Sequence, residues 1–249
     1  MSEIAMPMPV LNALDITGHI DEDGYAVVEN FVNPAELQKA QEFVRQAVEK
    51  NGGEYVGFNG GKDLTGTFLE KIAEDPRLTE LCQAIYTQAT GASAPAVEFY
   101  QILRCLSGEQ ARLHSWRFHY DSYVLTLLIP ITMPSHGSRG NLIILPKLRR
   151  IRSSYGLNLL DKLLVDNRLS QIVFREAYKR HIGKMISLEL KPGNLYFFWG
   201  YRSLHTNEPC DADEIRATAL LHYADPHADS GLKRAIRARG TGRSGEAAT

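Results

Sequence analysis

From Gly91 onward the sequence divides into short apolar runs, and this rhythm limits the folds open to the chain more than any other feature. The runs 97–105, 124–131, 141–145, 185–190, 195–199 and 216–223 are rich in β-branched and aromatic residues, and turn residues separate most of them. Each suits a strand and is short for a helix. With no helical pattern between most of them, a parallel sheet built from crossover helices is excluded, and an antiparallel sandwich or barrel is expected. Segment 147–183 interrupts the rhythm with helical character. Leu157, Leu160, Leu163 and Leu164 share one helix face there, and Leu169, Ile172, Val173 and Ala177 share another.

Two helices are expected ahead of this β region. Asn33 can cap the first, Pro34 fits its first turn and Glu36 completes a capping box. Leu37, Ala40, Val44, Ala47 and Val48 then recur at helical spacing. The second spans 76–90, capped by Asp75, with Leu78, Leu81, Cys82 and Ile85 inward. A turn and short strand at 23–28 precede them, and the Gly-rich stretch 51–66 between them reads as loop. Residues 1–15 and 240–249 read as loose ends of one catalytic domain covering 1–249, with 147–183 as a helical insertion and candidate lid.

Charge and cysteine usage narrow the function classes. With 28 basic and 29 acidic residues the net charge is −1, so nothing at whole-chain level asks for nucleic acid. Three widely spaced cysteines, Cys82, Cys105 and Cys210, argue against a disulfide framework or thiolate metal site and fit a reducing cytoplasm. The N-terminus lacks the basic region of a signal peptide, and no apolar run approaches the ~18 residues that span a bilayer.

The chemistry concentrates in a few positions. Arg117-Phe118-His119-Tyr120-Asp121 holds a His-x-Asp triplet. In a strand or at its end, residues two apart project to one side, so His119 and Asp121 can reach one point. Alone the triplet is weak, because a surface histidine beside a solvated carboxylate is the ordinary explanation. The second half adds the turn Lys191-Pro192-Gly193-Asn194, an apolar strand, and then His205, placed to supply a third ligand. Two imidazoles and a carboxylate on one side of a metal leave three positions open, as Fe(II) oxygen chemistry requires. Eleven residues on stands Arg216, with Thr218 on the same strand face. A guanidinium in an apolar strand needs an anion, either a protein carboxylate or a ligand's. His114 competes for the first ligand position but falls off the face of Asp121. His222 shares the face of Arg216, beyond the metal. Trp199 and Tyr201 could line a pocket, although aromatics in such a strand are more often core.

This ordered set resembles the Fe(II)/2-oxoglutarate-dependent dioxygenase superfamily over roughly residues 21–227. The opening Asp23-Gly24-Tyr25-Ala26-Val27-Val28-Glu29-Asn30-Phe31 and the Pro-started helix after it are most similar to the phytanoyl-CoA-hydroxylase-like branch. That branch's Pro-Gly-Asp turn stands here as Pro192-Gly193-Asn194. The resemblance implies a double-stranded β-helix, a jelly roll of cupin-like form, with Fe(II) in its mouth held by His119, Asp121 and His205. It implies 2-oxoglutarate as cosubstrate on Arg216 and Thr218, with Arg104 as a further contact. It implies dioxygen as co-reactant and hydroxylation of an unactivated C–H bond, with release of succinate and carbon dioxide. Asp121 stands where a halogenating relative leaves the ligand position open, which favours hydroxylation. The family's Gly-Ser-His after the strand ending near Pro146 is here Lys147-Leu148-Arg149-Arg150, so the substrate side does not carry over.

The insertion is basic, which suits a small anionic substrate and is equally explained as a solvated face. Two other readings remain open at this level. A cupin-like metalloenzyme without an oxo acid explains the triad but not Arg216. A non-catalytic jelly-roll binding module makes the histidines incidental.

Overall fold

The computed structural model describes residues 12–236. Its strands are β1 (Ala26–Val28), β2 (Val56–Asn59), β3 (Tyr100–Leu106), β4 (Leu125–Thr132), β5 (Leu142–Leu145), β6 (Ile186–Leu188), β7 (Leu195–Phe198), β8 (Leu204–Asn207) and β9 (Arg216–Tyr223). They form a six-stranded sheet in the order β1-β7-β4-β9-β3-β2 and a three-stranded sheet in the order β6-β5-β8. Every pairing is antiparallel. The fold is the expected mainly-β jelly roll with flanking helices, without closure into a barrel.

Strand alternation sorts the side chains into two layers. On β9, Ala217, Ala219, Leu221 and Tyr223 join the main core. That core also takes in Leu103 and Cys105 of β3 and the buried sides of the N-terminal helices. The opposite face of β4 and β7 sends Leu128, Tyr196 and Phe198 against Leu142, Ile144 and Leu188 of the small sheet. The polar members of the same inward set are Arg216, Thr218 and His222 on β9 and Arg104 on β3, opposite Thr218 in register. The period of two therefore delivers the charged side chains to the gap between the sheets.

Among the described residues four α-helices precede β3: α1 (Ala13–Asp23), α2 (Pro34–Lys50), α3 (Phe68–Ala73) and α4 (Pro76–Thr90). Two more, α5 (Tyr155–Val165) and α6 (Arg168–Lys179), fill the 147–183 insertion. Asn33 accepts from the Glu36 N–H and Asp75 from the Arg77 N–H, as the caps require. The Glu36 carboxylate pairs with Lys39.

Three expectations are corrected. Residues 1–15 are not all loose, because α1 begins at Ala13 with Asn12 as its cap and ends at the left-handed Gly24. Its burial rests on Ile16, Thr17 and Ile20 alone, a stripe too sparse to stand out among acidic neighbours. Residues 1–11 and the tail 240–249 lie outside the described residues. The stretch 51–66 is not all loop, since β2 pairs with β3 as an edge strand despite Gly57. His205 does not simply follow the apolar strand, because it lies within a further strand, β8, which pairs with β5.

Candidate metal centre

The segment carrying His119 and Asp121 lies between a 3-10 turn (Glu109–His114) and β4, outside any strand. It is laid along β8 by main-chain bonds. His119 exchanges both backbone hydrogen bonds with His205, at 3.0 and 3.1 Å, and the Asp121 N–H donates to Gly200 O at 2.9 Å. The same-side argument for a strand is thus replaced by a single β-bridge, His119 to His205, which brings the two imidazoles together directly.

His119, Asp121 and His205 place their ligand atoms within 4.8 Å of one another. His119 Nδ1 lies 2.9 Å from Arg117 O, and His205 Nδ1 lies 3.0 Å from Ser203 O. Each ring meets the carbonyl two residues back, which assigns the proton to Nδ1 and leaves the Nε2 lone pair free. Those two Nε2 atoms face Asp121 Oδ1 at 3.7 and 3.5 Å. The other carboxylate oxygen, Oδ2, accepts from Thr126 Oγ1 at 2.6 Å, and Thr126 Oγ1 lies 3.1 Å from His222 Nδ1. Gly200 is required beside this pair, because a Cβ there would collide with Asp121 Oδ2 and Thr126 Oγ1.

Two lone pairs and an ionised oxygen converge on one point, an arrangement that calls for a cation, either a metal ion or a proton taken up by His205. Burial alone would raise the Asp121 carboxyl, but His205, His222 and His119 hold it well below the usual carboxylate range. Burial, reinforced by His205, lowers His119 to about 4. Burial works against protonation of His205 too, yet Asp121 outweighs it and raises that ring. Neutral nitrogen and anionic oxygen donors, all from one side, fit a divalent first-row metal with open positions opposite.

Arg216 lies fully inside the same cavity, a space of about 130 Å³ that also takes in Arg104, Thr218 and the three candidate ligands. Its Nε donates to Gly140 O at 2.6 Å and its Nη1 reaches Thr218 Oγ1 at 3.4 Å. Among the described residues it forms no ion pair. Burial, followed by the charge of Arg104, brings it from 12.5 down to about 10. A buried guanidinium facing a second one lacks an anion.

A second cavity of about 350 Å³ adjoins the first through His119 and Arg104 and is lined also by His114, Phe118, Lys162 and Val165. Lys162 donates to Ser122 Oγ at 2.8 Å, and burial lowers its ammonium. His114 stacks on Tyr55, with ring centroids 3.8 Å apart, and stays away from the ligand cluster. Trp199 and Tyr201 are buried and line neither cavity; the Trp199 indole donates to Asp21 and the Tyr201 hydroxyl meets His227. Sequence reasoning missed Thr126, Gly200 and Lys162. Only Lys162 carried a signal, as a cation on the polar side of a helix whose other side is leucine.

No protein-family model and no curated protein sequence matches the chain. Solved structures do. A prolyl hydroxylase from Trichoplax adhaerens, in complex with a hypoxia inducible factor oxygen degradation domain peptide fragment, superposes with a TM-score of 0.52 at 12% identity, covering 86% of this chain and 89% of that one. A prolyl-4-hydroxylase of Pseudomonas putida gives 0.52 at 10% identity, over 85% and 98%. The epimerase SnoN, in complex with Fe3+, alpha ketoglutarate and nogalamycin RO, gives 0.55 at 14% identity, over 86% and 83%. The common property is the fold. Solved neighbours of this fold include hydroxylases and an alpha ketoglutarate dependent epimerase, so the fold supports more than one outcome on more than one kind of substrate.

Proposed function

We propose that this chain is a non-haem Fe(II) oxygenase dependent on 2-oxoglutarate, acting on an unactivated C–H bond of a small anionic molecule. The products are the hydroxylated substrate, succinate and carbon dioxide, with dioxygen consumed. The observation that carries the reading is one cavity with two opposite deficits. His119, Asp121 and His205 call for a cation, and in the lining of the same cavity Arg216 and Arg104 call for an anion. A divalent metal chelated by a dicarboxylic oxo acid supplies both.

In this reading His119, Asp121 and His205 hold the iron, which when bound supplies the oxidising power. The Arg117 and Ser203 carbonyls keep both rings turned the right way. Thr126 and His222 lie against Asp121 Oδ2, so that Oδ1 faces the imidazoles of His119 and His205. Arg216 and Thr218 take the distal carboxylate, with Arg104 beside them. Ile102, Leu128, Leu142 and Phe198 exclude water from the same cavity. The substrate enters the adjoining cavity, where Lys162 and Arg104 favour an anionic group. α5 contributes Lys162 and Val165 to its wall, so the insertion acts as its lid. The whole chain serves as one catalytic domain of the phytanoyl-CoA-hydroxylase-like branch, and its three buried, unpaired cysteines suit the cytoplasm.

Anaerobic addition of Fe(II) and 2-oxoglutarate tests this reading through the visible charge-transfer band of the chelate. Without the band the oxo acid is no cosubstrate, and a cupin-like metalloenzyme becomes the better account. With it, a screen for compounds that stimulate succinate release identifies the substrate, and anionic compounds should predominate among the hits.

A further inference from the structure

α5 is built with its polar side inward. Asp161 receives Arg149 at 3.0 Å and Arg152 at 2.7 Å, Lys162 bonds Ser122, and Asn158 is buried. The outward side is leucine throughout: Leu157, Leu160, Leu163 and Leu164 are 46–61% exposed. α6 repeats the arrangement. Gln171 bonds the main chain of Phe118 and Phe174 packs on the Phe118 ring, while Leu169, Ile172 and Val173 face solvent. The connecting turn is closed by Ser170 Oγ on Leu164 O at 2.6 Å, which sets the leucine end of α5 against the start of α6. Seven large apolar side chains on two adjoining helices exceed the scattered exposure of an ordinary surface.

The charge around them is equally lopsided. Residues 147–184 hold ten Lys and Arg against three Asp and Glu, a net +7 in a chain whose total is −1; with Arg149, Arg152, Lys162 and Asp161 engaged on the inward side of α5, seven basic residues against two acidic ones, a net +5, are left to the outward side. Arg150, Arg168 and Lys184 are exposed and form no ion pair among the described residues.

We infer that the outward face of α5 and α6 docks on an anionic lipid surface, with the leucines entering the boundary between headgroups and acyl chains and the basic residues lying against the phosphates. Charge complementarity selects this occupant. A second copy meeting this face would press two outward sides of net +5 together, whereas an anionic bilayer attracts them. Helices of 11 and 12 residues are too short to span, so the contact is interfacial. The inference does not depend on the metal site.

Co-sedimentation of the full chain with vesicles tests it, using phosphatidylcholine alone and an equal mixture with phosphatidylglycerol. Binding should be at least about tenfold tighter on the anionic vesicles and should weaken as salt is raised. The double variant Leu160→Glu, Leu164→Glu changes only exposed positions, so its thermal melt should match the parent while vesicle binding falls about tenfold or more. Equal binding to both vesicle types, no binding, or full binding by the double variant would each overturn the inference. So would light scattering that shows a dimer of the parent chain and a monomer of the double variant, which would assign the face to a second copy.

Discussion

Replacing Arg216 by methionine separates a ligand-binding guanidinium from a structural one, because the two roles predict opposite signs. In the protein alone this side chain is strained electrostatically. Its fall from 12.5 to about 10, caused by burial and then by Arg104, corresponds to roughly 3 kcal/mol against the charged form at ~1.4 kcal/mol per tenfold. Methionine fills similar space without charge, but leaves Gly140 O without its 2.6 Å donor, a loss of about 1–3 kcal/mol. The metal-free variant should therefore melt between the parent temperature and roughly 8 °C above it, at ~2–4 °C per kcal/mol for this chain length. The cosubstrate should respond the other way. Two charge-assisted hydrogen bonds to a carboxylate contribute about 1.5–3 kcal/mol each, and Arg104 remains to compensate in part, so 2-oxoglutarate should bind ~10²-fold more weakly. Calorimetric melting gives the first quantity, and anaerobic titration of the Fe(II) charge-transfer band gives the second. A variant that melts well below the parent and binds 2-oxoglutarate unchanged would make Arg216 a structural residue and remove the main support for an oxo acid.

Further perturbations probe the rest of the site. Gly200→Ala forces a methyl group onto Asp121 and Thr126, and Mn(II) affinity followed by EPR titration should fall ~10–100-fold; no change would show that the Asp121 carboxylate does not bind metal. Lys162→Gln should leave the charge-transfer band intact and raise about tenfold the concentration of an anionic stimulating compound needed for half-maximal succinate release, whereas an equal effect with neutral compounds would count against an ionic role. The metal centre should also lose affinity in mild acid. Asp121 outweighs burial and holds the His205 ring above its usual 6.5, so protons begin to compete with metal above that pH, and Mn(II) affinity should drop as the solution is taken from neutral to mildly acidic; a flat profile would exclude His205 as a ligand.

What the sequence made legible follows from the distances over which each feature is decided. The β core could be read because its runs are locally self-consistent, each apolar, turn-bounded and long enough to show a period. Caps at Asn33 and Asp75 could be read because a cap is settled within three residues. β2 and β8 could not. β2 is an edge strand with a glycine at its second position, made a strand by β3. β8 carries Thr206 and Asn207, ordinary loop residues, and owes its form to β5 on one side and the bridge to His119 on the other. Thr126 and Gly200 were invisible for the same reason: a threonine in an apolar strand and a glycine after a tryptophan acquire meaning only when Asp121 is folded between them.

The leucine stripes of α5 and α6 show where pattern reading reaches its limit. Spacing locates an apolar face correctly but does not say which way it points, because the usual inference assumes that the polar side is the wet one. Here Asp161 and Lys162 have fixed partners inside, with Arg149 in turn held between the rings of Tyr120 and Tyr201, at 4.0 and 4.1 Å. Those partners lie 9 to 12 residues away for Arg149 and Arg152 and 40 away for Ser122. Orientation was therefore decided by polar contacts between segments, with hydrophobic burial left over on the outside. A helix held in this way leaves Leu157, Leu160, Leu163 and Leu164 outward, and the same contacts place Lys162 at the wall of the second cavity. One charged side of one helix thus fixes both the lining of a candidate substrate cavity and the direction in which the leucines point.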